Sequence, residues 1–180
     1  MKKLLCYCVV FLTLISCGDN DSCLEKSGDA VFVSFELASF SKIDIPKGVA
    51  VEIVESSESK IEITSKENYL PNLDFKILND ELVVRNNSNC SMLHDYKLAT
   101  LRIYTPTLSK IVSRTQFEVS SVGILHFPEL FVITSLEEES ASSKINLEID
   151  NHTFKIEDNQ VGYFKISGRT IWFDVALYGG

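Results

Sequence analysis

From residue 30 to the C-terminus, β-branched and aromatic side chains alternate with charged and polar ones at a period of two, the spacing of a strand with one face buried. The runs Val31 to Leu37, Lys42 to Ile45, Val49 to Val54, Lys60 to Thr64, Asp74 to Leu78, Glu81 to Arg85 and Leu98 to Thr105 predict strands. Turn-forming residues separate them: Pro46 and Gly48, the Ser56 to Ser59 stretch, and the pair Asn79, Asp80, which sits between two alternating runs like a two-residue hairpin. No segment carries a convincing helical stripe; Glu137 to Ser143 alone has helix-friendly composition, and it is short and polar. The chain reads as all-β.

The C-terminal half adds a longer regularity. Ile145, Leu147 and Ile149 match Phe164, Ile166 and Gly168 at an offset of 19, and Phe154 and Ile156 match Phe173 and Val175 at the same offset. Two strand segments recurring at one spacing predict a solenoid, in which successive coils stack in register. Phe131 and Ile133 precede Phe154 and Ile156 by 23, with Glu137 to Glu139 as an inserted loop; Ser109 and Ile111 precede Phe131 and Ile133 by 22. In this register Ile145, Leu147, Phe154, Ile156, Phe164, Ile166, Phe173 and Val175 point inward, and Lys155 lies beside Asp174 on the outside. Tyr163 and Trp172 then point outward, as a candidate ligand platform for a glycan or protein partner. The plainer alternative is that Trp172 is covered by a loop or a neighbouring coil.

The first 16 residues break the pattern. Lys2 and Lys3 precede an uncharged run from Leu4 to Ile15, about 12 apolar residues where a bilayer span needs roughly 20, so it reads as a secretory signal. The run closes on Leu14, Ile15, Ser16, Cys17 and turns polar at Gly18 and Asp19, which resembles a bacterial lipobox with Cys17 as the acylated N-terminus. Two or more acyl chains, at about 0.8 kcal/mol per buried methylene, give stable attachment, so the membrane is an expected partner through the lipid anchor. The organisation is a signal peptide (1–16), a lipidated tether (17–29) and a single β-solenoid domain (30–180), consistent with one core in 180 residues that are 45% apolar.

Cysteine usage follows from that cleavage. Of five cysteines, Cys6 and Cys8 leave with the signal and Cys17 takes lipid, so Cys23 and Cys90 remain. In an oxidising compartment these two are expected to form a disulfide; the alternative is a pair of free thiols. Closing the 66 residues between them would contribute about 4 kcal/mol in the chain-entropy description. Loss of Lys2 and Lys3 leaves 15 basic side chains against 25 acidic, a balance of −10 in place of −8. That sign opposes binding to phosphates, so nucleic acid is not an expected partner.

Catalytic signatures are sparse. There is no G-x-S-x-G elbow, phosphate-binding loop, dinucleotide fingerprint or C-x-x-C. His94, His126 and His152 stand far apart without metal-ligand spacing, so no metal and no cofactor are expected. Asp150, Glu157, Asp158 and Asp174 could line one face, as in acid-using polysaccharide lyases and hydrolases, but acids at strand ends ordinarily serve solvation.

Further landmarks carry a family resemblance. Ser39 to Ile45 with Gly48 to Ile53, then Asn68 to Pro71, Phe75 to Ile77, Glu81 to Asn86 and Leu101 to Leu108, resemble the putative auto-transporter adhesin head GIN domain, a domain of Bacteroidetes lipoproteins. A subset of that family is similar even at the cysteines, with Cys23 ahead of Lys26, Ser27, Gly28 and Cys90 following Asn89. The resemblance implies a right-handed parallel β-helix preceded by a less regular β region, no established activity, and an outer-membrane, lipid-anchored location facing either the periplasm or the outside. The family's Gly-Ser-Gly turns are replaced here by Ser113, Arg114, Thr115 and by Asp158, Asn159, Gln160; only Gly179, Gly180 looks like one, which leaves the last coil either capped or open. The functional expectation is a noncatalytic envelope lipoprotein whose β-solenoid is a structural or recognition surface, adhesion included. The alternative is a carbohydrate-binding or carbohydrate-active β-helix.

Overall fold

Strands whose apolar rows all face one way must curl around those rows to keep them dry. The computed structural model describes residues 28–88, 97–134, 143–159 and 161–178. Twelve strands lie within them: β1 (Ala30–Glu36), β2 (Lys42–Ile45), β3 (Val49–Glu55), β4 (Lys60–Lys66), β5 (Leu73–Leu78), β6 (Glu81–Asn86), β7 (Ala99–Thr105), β8 (Lys110–Ser113), β9 (Glu118–Leu125), β10 (Glu129–Thr134), β11 (Lys144–Asp158) and β12 (Tyr163–Leu177). The helical content among the described residues is one 3-10 turn, Leu70–Asn72, which Pro71 opens. Asn79 and Asp80 both have positive φ, 51° and 66°, as a two-residue turn between β5 and β6 requires.

All twelve belong to one mixed sheet in the order β1-β4-β7-β3-β9-β11-β10-β8-β2-β6-β5, with β12 beside β11. The path doubles back at β11 because that strand is long enough to serve two neighbours: Lys144–Ile149 pairs β9, and Thr153–Asp158 pairs β10. The sheet thus curls into a half-barrel whose two arms share one core. Ile43, Ile45, Ile111 and Val132 come from one arm, and Val51, Ile53, Val119 and Ile145 from the other. Removing a fully buried side chain such as Ile43 would cost about 2–5 kcal/mol.

Parallel order runs from β2 and β3 through β12, while β1–β4, β4–β7 and β5–β6 are antiparallel. The expected right-handed parallel β-helix is therefore replaced, for the chain as a whole, by a curled mixed sheet. Its antiparallel strands stand where the less regular N-terminal region was expected. The 19-residue offset is the observed register throughout: Ile145 pairs Phe164, Leu147 pairs Ile166, Phe154 pairs Phe173 and Ile156 pairs Val175.

The two upstream offsets differ from expectation by one residue. Leu130 and Val132, not Phe131 and Ile133, stand beside Phe154 and Ile156, and Ile111 stands beside Val132. Leu130 and Val132 are buried, while Phe131 and Ile133 lie half-buried on the other face. A one-residue slip exchanges the two faces. In Leu130, Phe131, Val132, Ile133 both rows are apolar, so alternation does not mark the inner one. The turn does: the Pro128 carbonyl accepts from the His152 and Thr153 amides, each at 3.0 Å, and the Phe131 amide donates to Ser109 at 2.9 Å.

Candidate interaction surface

β12 is a fifteen-residue strand with β11 along one side and no strand along the other among the described residues. Its path is copied from β11. The pairing runs without a slip to Asn151 with Thr170, omits one step, and resumes at Thr153 with Trp172, so both strands turn the corner between the arms together. Three contacts hold that corner. The Arg169 guanidinium donates to both Asp150 oxygens, at 3.0 and 2.7 Å, and the Thr170 hydroxyl donates to the Trp172 carbonyl at 3.1 Å. Gly168 has φ +102°, and a Cβ there would fall on the Ile149 carbonyl oxygen, so only glycine lets β12 lie this close to β11.

The turn into β12 is fixed by a buried carboxylate. Asp158 accepts hydrogen bonds from the Thr134 hydroxyl and, at 3.0 Å, from the Gly162 amide. Its place in the ladder Ile45, Ser113, Thr134, Asp158, Leu177 is a stacked corner of the half-barrel, not an outward catalytic position.

β12 carries six exposed large apolar side chains, more than any other described strand. Tyr163 is 64% exposed and Trp172 67%, as outward positions. They lie on opposite arms, nine residues apart along the strand. Phe173 and Val175 continue the inward rows yet are 57% and 45% exposed, and Ile171 and Leu177 are more exposed still. Phe173 stacks on the fully buried Phe154 with ring centroids 5.8 Å apart, so one of its faces is covered and the other is open. Phe164 and Ile166 are only partly buried against the core. The openness of the inward row is what sequence reasoning missed: a periodic pattern assigns a side chain to a face but not a neighbour to cover it.

The other predicted groups do not converge. Asp150 is engaged with Arg169, which holds its carboxyl below the ordinary value of 3.8, and Asp174 lies beside Lys155 in the ladder. His126 faces Glu55 at 3.3 Å and His152 faces Thr153 at 3.1 Å. Among the described residues no three His, Cys, Asp or Glu side chains are grouped to hold a metal. Cys17, Cys23, Cys90, His94 and Glu137 to Glu139 lie outside the described residues.

A charged ladder crosses the outer side of β3, β7 and β4. Arg102 binds Glu52 at 2.7 Å, the Tyr104 hydroxyl donates to Glu62 at 2.9 Å, and Lys60 reaches Glu62 at 3.0 Å while lying 4.3 Å from the Tyr104 ring centroid. The hydrogen bond from Lys60 lowers the Glu62 pKa and raises that of Lys60. These side chains satisfy one another. A shallow groove of about 370 Å³ beside them is lined by Glu52, Lys97, Thr100, Phe117, Glu118 and Lys144, mixed in charge and open to solvent.

The described residues thus form a curled all-β sheet with paired charges on its outer side and exposed apolar side chains along β12. The chain belongs to the family described as "Putative auto-transporter adhesin, head GIN domain", whose model matches residues 39–180. Solved structures share the fold at low identity. A putative adhesin from Parabacteroides merdae is 15% identical with a TM-score of 0.51, over 77% of this chain and 60% of that one. One from Parabacteroides distasonis is 12% identical with a TM-score of 0.55, over 84% and 74%, and one from Bacteroides fragilis is 9% identical at 0.52, over 83% and 97%. The chain thus spans about three-fifths of the length of the Parabacteroides merdae protein. No curated protein matches the sequence. No helix of the described residues is long and apolar enough to cross a membrane.

Proposed function

We propose that this chain is a noncatalytic cell-envelope lipoprotein, acylated at Cys17, closed by a Cys23 to Cys90 disulfide and anchored in the outer membrane. Its body is a structural and recognition module, with β8 to β12 forming a short right-handed β-solenoid. The observation that carries the recognition reading is β12: an edge strand with Ile171, Trp172, Phe173 and Leu177 all more than half exposed. Several large apolar side chains exposed along one strand are what a binding edge would present. Family membership and the adhesin relatives support an envelope-associated role. Metabolic labelling with a radioactive fatty acid tests the anchor, with Cys17→Ala expected to abolish incorporation. Nonreducing peptide mapping tests the disulfide, and finding both thiols free in exported protein removes it. Surface proteolysis of intact cells tests exposure; protection equal to that of a periplasmic marker rules out an adhesive role.

A second reading, carbohydrate binding, is favoured by the exposure of Trp172 and Tyr163. A glycan array with wild type and Trp172→Ala decides it. Binding lost on substitution supports it, and an empty array for both proteins ends it.

A further inference from the structure

The open edge of β12 is complementary to itself. Its backbone polarity follows from two hydrogen bonds to β11: the Tyr163 amide donates to Ser143 and the Tyr178 amide to Asp158, each at 2.8 Å. Alternation along a strand then turns the amides of Lys165 and Asp174 toward β11. It turns those of Phe164, Ile166, Phe173 and Val175 toward the free edge. These four are also the inward-row residues, because the pattern changes phase at the corner between the arms.

A twofold axis through that corner exchanges the two arms of β12, and on each arm two strands related by it run antiparallel. With the axis between Arg169 and Thr170, Phe164 falls opposite the partner's Val175 and Ile166 opposite the partner's Phe173. Edge-facing backbone groups then meet edge-facing groups, and apolar side chains meet apolar ones. The same register puts Lys165 opposite the partner's Asp174, twice by symmetry. Moving the axis one residue toward either terminus keeps the backbone match and loses this charge match. At the axis Arg169 is already neutralised by Asp150, so no unpaired guanidinium is brought to its own copy.

We propose that β12 is a docking edge for a second copy of this chain, joined antiparallel about a twofold at the corner, with Lys165 paired to the partner's Asp174. An isologous contact of this kind closes after two copies and buries the edge that no strand among the described residues covers. The proposal deepens the reading of β12 as a recognition edge.

Charge reversal tests it on the exported protein purified in detergent, with mass followed by light scattering over a dilution series. Wild type is expected to move from monomer to dimer. Asp174→Lys opposes lysine to lysine and should weaken the dimer by about tenfold or more, while Lys165→Asp together with Asp174→Lys should restore it to within about threefold of wild type. Restoration excludes misfolding as the cause of the loss. In oxidising conditions the double variant Lys165→Cys, Asp174→Cys should cross-link into dimers, whereas each single variant and wild type should not. A monomer at every concentration, or a dimer indifferent to both reversals, overturns the proposal. The recognition reading is judged separately, by surface proteolysis of intact cells, whose outcome does not depend on whether the purified protein dimerises.

Discussion

The half-barrel has two ends, built by different means. At one, the first and last strands of the sheet path, β1 and β5, meet through Phe35 and Phe75, whose ring centroids are 5.3 Å apart at 59°. Val33, Leu37, Leu73 and Ile77 lie against the core there. Phe32, Phe35 and Leu78 remain exposed at that end, and β1 and β5 each have a strand along one side only among the described residues. At the other end β12 presents both rows of its side chains and one whole backbone edge. Antiparallel hairpins can fold back over the layer they extend, whereas a parallel ladder ends on whatever strand comes last. The two ends differ in degree: each leaves strand edges unpaired among the described residues, and β12 carries the larger number of exposed apolar side chains.

Substitutions of one residue type at two depths should measure this difference. Phe154→Ala, in the last covered layer, is expected to lower unfolding stability by about 3–5 kcal/mol in denaturant titration. Phe173→Ala, one layer further out, should cost only about 1 kcal/mol, the worth of a half-covered aromatic contact. Equal losses would mean that the end is covered. Next in size is Gly168→Ala, expected to cost about 3 kcal/mol because the new Cβ meets the Ile149 carbonyl at a backbone conformation reserved for glycine. Gly123 has a similar φ of +83° with open space around it, so alanine there should cost less. Asp158→Ala should cost about 1–3 kcal/mol, by leaving the Thr134 hydroxyl and Gly162 amide without their acceptor.

A smaller effect concerns acid. The carboxyls of Glu62 and Asp150 are held below their ordinary values of 4.5 and 3.8, first by hydrogen bonds from Lys60 and Arg169. The stability they contribute is complete above those ordinary values and is lost as pH falls through the lowered ones. Arg169→Ala and Lys60→Ala should therefore each lower the melting temperature slightly at neutral pH and leave it nearly unchanged once the carboxyls are protonated, which flattens the acid limb of the profile below about pH 4.5. A parallel downward displacement at all pH values would contradict this origin.

The strands were legible in the sequence because most have one apolar row and one polar row. The seven runs marked from residue 31 to 105 all appear within two residues of their expected bounds, and the 19-residue register holds along β11 and β12. Legibility ends where both rows are apolar, as at Leu130 to Ile133, since alternation there names no face. Of the antiparallel pairings, β5–β6 was legible from its Asn79, Asp80 turn, whereas β1–β4 and β4–β7 were not, because period two is the same in parallel and antiparallel pairing. At the candidate surface, Tyr163 and Trp172 could be marked as outward from their register. The exposure of Phe173 and Val175 could not, because burial is a property of the pair of layers and not of the residue.

The central claim is that β12 has one backbone edge unpaired among the described residues, and residue-resolved amide hydrogen exchange reads it directly. In dilute protein, the amides of Phe164, Ile166, Phe173 and Val175 should exchange rapidly while those of Lys165 and Asp174, turned toward β11, stay protected. As concentration rises the fast group should gain protection. Uniform protection along β12 in dilute protein would contradict the account, because it would place a covering strand where the free edge is claimed.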